Sequence, residues 1–592
     1  METDKFLDFL TESGFFYPSF EIYRGKTEAG GFYDYGPLGV ELKRNIIEKW
    51  RRIFIYPYQD FIVEVETPII MPKIVFEASG HLEHFTDAIT ECLKCGRKYR
   101  ADHLIEEELG KRGVSVKTEG LRLEELDELI RRYGIKCPVC GGDLGPVKPF
   151  NLLFQTTIGP YSDNIGYLRP ETAQGMFVSF PRVFNLLGRK LPLGIAQVGK
   201  VGRNEISPRQ GLIRLREFTQ MEIEFFFDPE NPRCPFLDEL DVKIRVLPEE
   251  DVKAGKKEPR EFRPREAVES RVIPNEWMAF FMGLATIYMN ELGIPTDHQY
   301  FLAKLPEERA HYSSASFDQM VFSERFGWVE VSGHAYRTDY DLSRHMKFSG
   351  YDLTVERRLK EPKEVEEVRI YPNPTRIREV YGNEAGKVMK ALSTADPNEL
   401  RSSLERSGEA LVGGYRVTRD MVFMRVERRK VFTERFIPHD VEPSFGVDRI
   451  VYVTLEHAAK VIDGRFILTL APDIAPIKAV VLPIIDKEEY NKIGIELSRK
   501  LMRAGFRVVF DNDGTIGSRY ARYDSLGVPL AITIDEETLR DNTVTIRDRD
   551  TKVQVRVGIN DVPIIIKKAV EENKTLSRLI DELKLTIYTR QH

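Results

Sequence analysis

The sequence predicts an α+β protein. A long domain built on an antiparallel sheet is interrupted by a cysteine-bearing insert and followed by a smaller α/β domain with a mixed sheet. Three observations predict it: a charged hairpin pattern around residues 203–224, two Cys-x-x-Cys pairs upstream of it, and alternating strand and helix patterns after residue 476. A chain of 592 residues has room for two or three domains, each with an ample core.

Residues 42–54 place Leu42, Ile46, Trp50 and Ile53 at helical spacing. Residues 61–66 read as an edge strand that runs into Pro68. Next come Cys92-x-x-Cys95 and Cys137-x-x-Cys140, the second pair followed by Gly141 and Gly142. Glycine after a knuckle lets backbone amides approach the sulfurs, and four thiolates suit tetrahedral zinc. Residues 104–133 lie between the pairs and carry Leu123, Leu126, Ile130 and Tyr133 at helical spacing, so 91–148 reads as a zinc ribbon with a helical insert. Four protein ligands leave no open position, so such a zinc would be structural. The alternative is four reduced, metal-free thiols. Cys234 stands alone, and five cysteines in a chain this long exclude a disulfide framework.

Read as a strand, Arg203 and Glu205 share one face. Residues 206–211 carry the proline and glycine of a turn. In the return strand Arg214, Arg216, Phe218, Gln220, Glu222 and Glu224 share a face, and Met221, Ile223 and Phe225 form an apolar back. Arginine grips phosphate bidentately, an aromatic ring stacks on a base and carboxylates hold an ammonium. That face therefore suits a triphosphate nucleotide beside a cationic amine. The alternative is a merely solvated charged face. Farther on, Glu442 and Ser444 share a strand face, Gly446 allows a tight exit and a helix begins near Val447. Arg449 then falls in its first turn, where phosphate is favoured.

Residues 247–265, polar and rich in proline and lysine, mark an insertion boundary. Residues 277–292 read as a helix, 330–342 as an alternating strand, and 360–428 as a second insertion of mixed strands and helices. Beyond Pro476, strands are expected at 478–485, 507–510 and 530–534, helices at 490–504 and 516–526, and a hairpin at 543–557.

Net charge is -6, with 42% hydrophobic and 30% charged residues. This excludes a general nucleic-acid coat but leaves room for a local basic surface. The apolar stretch 475–485 is broken by Lys478 and prolines, so no run reaches the length of a membrane span. The first residues, Met1-Glu2-Thr3-Asp4-Lys5, lack a signal-peptide pattern, and a cytoplasmic location is expected.

In order, Pro68, Arg203-x-Glu205 and Arg449 at the end of Gly446-Val447-Asp448-Arg449 resemble motifs 1, 2 and 3 of the class II aminoacyl-tRNA synthetases. More narrowly, Glu77-Ala78-Ser79-Gly80-His81, Tyr99-Arg100-Ala101-Asp102-His103, Arg169-Pro170-Glu171-Thr172 and Gly327-Trp328-Val329-Glu330-Val331 resemble the dimeric archaeal and eukaryotic glycyl-tRNA synthetases over nearly the whole chain. One departure is Gly202, where the family usually has a bulky apolar residue before the motif 2 arginine; local loosening of the strand is expected.

The resemblance implies a class II catalytic domain over 1–90 and 149–472, with insertions at about 235–320 and 355–430, and an anticodon-binding domain over 475–592. It implies ATP-dependent activation of glycine and its transfer to tRNA(Gly), with ATP and Mg2+, in a homodimer with no membrane association. Arg203, Glu205 and Arg449 would be catalytic. ATP would also meet Asn204, Ile213, Arg214, Leu215, Arg216, Glu217, Phe218, Glu330, Val331 and Gly446. Within that set, Arg203 would take the α-phosphate, Glu205 the adenine amino group and Arg214 the outer phosphates, while Phe218 and Arg449 sandwich adenine and Glu330 could hold magnesium. Glycine would meet Arg100, Glu171, Phe218, Gln220, Glu222, Glu442, Ser444 and Gly446, with carboxylates around its ammonium excluding any β-carbon. Three alternatives stay open. Arg100 could instead bridge Asp102 or Glu106, Glu330 could be a half-buried strand charge, and the C-terminal domain could serve dimerisation or structure. Among whole-chain readings, a non-catalytic synthetase-like subunit should have lost Arg203, Glu205 or Arg449. A synthetase for serine, threonine, proline or histidine would not need the crowded carboxylates, and a zinc-ribbon binding protein would not need this size and motif set.

Overall fold

The computed structural model describes residues 3–588 except Arg24, 27–29, Glu119, Ser162, Ser207, Arg209 and Gln210. The turn expected at 206–211 therefore lies largely outside the described residues. The chain divides into two compact units, Met1–Leu353 with Pro438–His592, and Thr354–Ile437.

The first unit is organised by a nine-stranded sheet. Its strands lie in the order Arg260–Phe262, Ile244–Leu247, Gln299–Ala303, Ala315–Ser323, Gly327–Thr338, His439–Gly446, Glu217–Phe227, Leu193–Gly202 and Ile62–Glu64. Neighbours are antiparallel except at two places, where Ile62–Glu64 and Ile244–Leu247 each run parallel to a neighbour. One face is core: Met221, Ile223 and Phe225 are fully buried, as the period-two reading expects. The helix Pro37–Phe54 packs Leu42, Ile46, Trp50 and Phe54 against it, with the Phe54 and Phe445 rings 5.1 Å apart. Ile62–Glu64 is the edge strand, and Val447–Ala458 begins where the helix after Gly446 was expected.

The segment 235–320 is not a separate insertion in space. Four of its strands extend the central sheet, and the helix Glu276–Glu291 is apolar almost all round and lies in the core. Asn275 caps that helix by accepting from the Met278 amide at 2.9 Å.

The hairpin also departs from expectation. Its ladder runs from the pair Leu193 and Phe226 to the pair Gly202 and Glu217, and stops there. Arg203, Glu205, Arg214 and Arg216 therefore lie beyond the strands. One more bond, from the Arg203 amide to the Arg216 carbonyl at 2.9 Å, joins the two sides; beyond it the Asn204 amide donates to the Leu152 carbonyl at 2.7 Å, the Arg216 amide to the Gly31 carbonyl at 2.9 Å, and the Arg216 guanidinium to the carbonyls of Glu205 and Gly30. Gly202 does not loosen the strand. It is buried and paired, and a Cβ there would meet the Phe154 ring at 3.3 Å and Leu168 at 3.6 Å. Those two side chains fill the space of the expected bulky residue.

The insert pairs Thr86–Glu91 with Lys98–Arg100 and Lys148–Asn151, and packs the helices Ala101–Lys111 and Leu123–Arg132 through Leu104, Ile105, Leu126 and Ile130. The C-terminal sheet has the order Val508–Phe510, Ala479–Pro483, Leu530–Ile534, Thr543–Asp548 and Gln554–Gly558. It is parallel in its first three strands and antiparallel beyond, the mixed sheet expected from the sequence, and it has its own core. The second unit is a long ribbon of Val355–Pro372 against Val422–Phe436, with three helices packed around Ile377, Val388 and Leu404.

The Gly202 packing has a test. Gly202→Val is expected to destabilise the protein by about 1–3 kcal/mol, the usual cost of overpacking. Adding Phe154→Ala should recover part of that loss, a coupling that a denaturant double-mutant cycle reads.

Candidate active site

On the sheet face opposite the core, Phe218, Gln220 and Glu222 alternate along one strand and Glu442, Ser444 and Gly446 along its neighbour, with Glu222 opposite Ser444. Above them opens a cavity of about 330 Å³. Of the expected residues, Arg203, Glu205, Ile213, Arg214, Leu215, Phe218, Gln220, Glu330, Val331, Gly446 and Arg449 line it, with Glu171, Glu442 and Ser444 at one side.

The cationic side is held by backbone. Arg203 Nε donates to the Pro170 carbonyl at 3.1 Å, and its guanidinium lies 5.2 Å from the Phe218 ring centre and 5.5 Å from that of Phe85. Arg449 leaves the first turn of its helix and donates to the carbonyls of Ile213 at 2.9 Å and Glu330 at 2.8 Å, with the Glu330 carboxylate 3.2 Å away. Arg214 Nε sits 3.9 Å from Glu205. Lys304, Arg309 and Tyr312, which the sequence did not single out, complete the wall.

The acidic side is buried. Glu171, Glu222, Glu224, Asp341, Asp440 and Glu442 are each at most 6% exposed. Arg337, fully buried, binds Asp341 through two hydrogen bonds of 2.8 and 3.0 Å, Glu442 at 2.8 Å, and approaches Glu171 at 3.6 Å. The Tyr312 ring covers its guanidinium at 3.6 Å. Burial opposes ionisation of Glu171, but His81 and Arg337 outweigh it and hold the carboxyl below the ordinary range. Burial dominates at Glu442 and, with Glu222 and Glu171 adding, raises it against the pull of Arg337. Burial, then Asp440 and Glu442, raises Glu224; burial pushes Asp440 up to about 7. Glu222 accepts from the Thr172 hydroxyl with one oxygen, while the other is buried without a partner among the described residues. A buried carboxylate oxygen left so is costly, and a cationic donor would satisfy it. Arg337, Asp341 and Tyr312 were missed. Arg337 follows Val329, Val331, Gly333 and Ala335 in alternate positions of one strand, and a charge ending that apolar row was the available signal.

Five expected residues do not line the cavity; one is Glu222, fully buried among the neighbouring carboxylates. Arg100 is held between Asp102 at 2.9 Å and Asp87 at 3.1 Å, its alternative reading, with Asp87 joining Asp102 in place of Glu106. The Glu217 side chain is exposed and pairs with Lys200 at 2.9 Å, because alternation turns it from the Phe218 face. Arg216 braces backbone, and Asn204 is bound through its amide to the Leu152 carbonyl.

In the insert, the Sγ atoms of Cys92 and Cys140 lie 3.5 Å apart, those of Cys95 and Cys137 3.7 Å apart, and the four ligand atoms fall within 4.8 Å of one another. Zn–S bonds of about 2.3 Å in a tetrahedron space sulfurs by ~3.8 Å, so the donor set fits zinc. The Tyr99 hydroxyl is 3.1 Å from Cys137 Sγ; against burial, it and nearby amides bring that thiol down to about 6.

Known proteins resemble this chain along its whole length. Residues 478–569 match the family model described as an anticodon binding domain. The glycine–tRNA ligase of Aeropyrum pernix is 48% identical over 97% of this chain and 98% of its own length. That of Pyrococcus abyssi is 47% identical over 95% and 97%. Among solved structures, the prolyl-tRNA synthetase of Cryptosporidium parvum complexed with halofuginone and AMPPNP covers 98% of this chain and 78% of its own, with a TM-score of 0.50 at 14% identity. That last likeness bears on the fold, which is the class II synthetase architecture.

The acidic floor has a pH signature. Asp440 carries its proton up to about 7 when folded but has an ordinary value of 3.8. The unfolded chain therefore releases that proton first, and its contribution to stability is lost as pH rises from about 4 to about 7. Asp440→Asn is expected to be more stable than the parent at pH 8, with the difference closing below pH 4, in urea melts.

Proposed function

We propose that this chain, which belongs to the glycine–tRNA ligase family, activates glycine with ATP to glycyl-adenylate and releases pyrophosphate. It then passes the glycyl group to the 3′ end of tRNA(Gly). The observation that supports this best is the join of two half-sites on one sheet face, an arginine-lined cavity ending on buried carboxylates.

In this reading Arg203 takes the α-phosphate and Arg214 the outer phosphates, where charge builds during displacement. Adenine lies between Phe218 and Arg449, its amino group on Glu205. Bound Mg2+ would neutralise phosphate charge, and in this reading Glu330, which pairs with Arg449, would hold it. The glycine ammonium lies among Glu171, Glu222 and Glu442, within reach of Ser444 and Gln220; the latter two are joined at 3.3 Å. Gln220 is fixed by the Thr172 amide at 3.1 Å. A β-carbon would press on carboxylates already locked by Arg337, Thr172 and His81, so alanine is excluded by clash as well as by lost contact. Arg337 and Asp341 act as positioning residues for that pocket.

We assign catalysis to 1–90 with 149–472 and the tRNA anticodon surface to the C-terminal domain, whose residues 478–569 match an anticodon binding domain. Zinc in the four-cysteine site is structural. The chain is a homodimer, a reading supported by the edge strand Ile62–Glu64 and by Ile70 and Ile74, about half exposed just after Pro68. No helix among the described residues is long and apolar enough to cross a membrane, in keeping with a cytoplasmic enzyme.

Amino-acid-dependent ATP–pyrophosphate exchange tests the activity. Exchange is expected with glycine and not with alanine or serine; exchange with another amino acid alone would overturn the pocket reading. Glu222→Gln removes a charge-assisted contact worth about 1.5–3 kcal/mol, so the glycine KM should rise about 10- to 100-fold with the ATP KM little changed. For the metal, Cys137→Ser is expected to lower zinc content by atomic absorption and melt the insert, leaving the C-terminal sheet folded by amide exchange.

A further inference from the structure

The helix Pro37–Phe54 touches two places at once. Lys43 Nζ donates to the Thr219 hydroxyl at 2.7 Å and to Asp448 at 3.1 Å. Asp448 also accepts the Thr219 amide at 2.6 Å. These residues adjoin Phe218 and Arg449, so the helix is fastened to the reaction centre. Glu41, Asn45 and Lys49, at i, i+4 and i+8, form a second row on the same helix. Each reaches the C-terminal domain or the linker to it. Glu41 pairs with Arg507 at 3.1 Å, and Asn45 donates to the carbonyls of Ile474 at 3.1 Å and Ala475 at 3.3 Å. Lys49 meets the Asp473 carboxylate at 2.6 Å.

The Lys49–Asp473 pair is buried, with side chains 5% and 11% exposed. Lys49 also donates to the Glu291 carbonyl at 3.0 Å and lies 3.2 Å from its carboxylate, which accepts from Asn573 of the C-terminal domain at 3.3 Å. Lys478 donates to the Pro472 and Asp473 carbonyls at 3.2 and 2.6 Å, stiffening the linker from its other side. A buried ion pair adds little net stability compared with apolar side chains of like volume. What it provides is direction: one geometry satisfies the charges and a slid arrangement does not. The neighbours Ile46 and Trp50 are fully buried and apolar, so Lys49, itself 5% exposed, is a charge set among core side chains.

We propose that Glu41, Asn45 and Lys49 form the positioning device that sets the C-terminal domain against the reaction centre, with Lys49–Asp473 its decisive contact. A tRNA gripped by the C-terminal domain then brings its acceptor end to the cavity. The inference rests on the tRNA-ligase reading above. Glycine activation needs only the cavity, whereas transfer needs both ends of the tRNA registered, and an error near 1 Å can cost about a hundredfold in rate.

The test separates the two steps. Lys49→Met with Asp473→Leu replaces the pair by apolar side chains of similar size, so that no lone charge is buried. Three quantities are measured: the melting temperature, glycine-dependent pyrophosphate exchange without tRNA, and kcat/KM of aminoacylation for tRNA. Exchange and melting temperature should stay near the parent's while aminoacylation falls by about tenfold or more. Lys49→Arg, which keeps the pair, should recover most of the loss. The inference is overturned if aminoacylation is unchanged, or if exchange falls in step with it, which would make the row plain scaffolding. Absence of exchange in the parent protein marks the separate failure of the tRNA-ligase reading and removes this inference with it.

Discussion

The site depends on one fork of hydrogen bonds. Arg337 reaches Asp341, Glu442 and Glu171 with no part of its side chain in water. Without it, three carboxylates brought together from a strand, a helix and a bend would repel one another in a medium that screens poorly. With it they stay close, but one guanidinium cannot neutralise six acids. The remainder is managed in two ways: Glu224 and Asp440 keep protons above the usual carboxylate range, and Glu222 holds an oxygen with no partner among the described residues. The pocket is thus short of a cation, and in the proposed reading the α-ammonium of glycine supplies it. Arg337 orders the carboxylates, and in that reading their order limits the size of the substrate.

The sheet makes this arrangement possible by segregating its faces. Along Glu217–Phe227 odd positions such as Met221, Ile223 and Phe225 enter the aromatic core, while Phe218, Gln220, Glu222 and Glu224 turn the other way. A one-residue slip would exchange core and pocket, so the hydrophobic demand of one face fixes the register of the other. For its amino-acid half the sheet supplies Gln220, Glu222, Glu442 and Ser444, while Glu171 comes from the bend just before the helix Ala173–Leu186. The phosphate half sits where the ladder has ended, and there arginines are fixed by carbonyls: Arg203 by Pro170, Arg449 by Ile213 and Glu330.

Legibility in the sequence followed the range of the interactions. The cysteine pairs were readable because a knuckle is local, and the C-terminal domain because strand and helix alternate within short windows. The core face of the hairpin was readable from period two alone. Arg214 and Arg216 were misplaced onto a strand because nothing local says that the ladder stops at Gly202; Leu152 and Gly30, distant in sequence, take over the bonding. The segment 235–320 looked like an insertion because its boundary is polar, yet its strands join the central sheet through pairings such as Val246 with Phe301. Gly202 looked like a defect because Phe154 and Leu168, which occupy its place, come from elsewhere in the chain. Arg337 makes sense only with its partners from 171, 341 and 442 in view.

The smallest and the largest substrate of such an enzyme pose opposite problems, and buried charge answers both. Glycine has no side chain to grip, so a pocket for it must recognise an ammonium and refuse a methyl group; in the proposed reading rigid carboxylates do this, their mutual repulsion held in check by Arg337. A tRNA has surface to spare, so the position at which its far end arrives decides the outcome. Apolar contacts between domains hold them together but let them slide, whereas Lys49 on Asp473 and Asn45 on two successive carbonyls are satisfied in one arrangement only. In each case a polar group is buried where an apolar one would be as stable, and the gain is geometric selectivity. The helix Pro37–Phe54 carries Lys43 to the reaction centre and Lys49 to the linker, so both ends of that selectivity are referred to one rigid element.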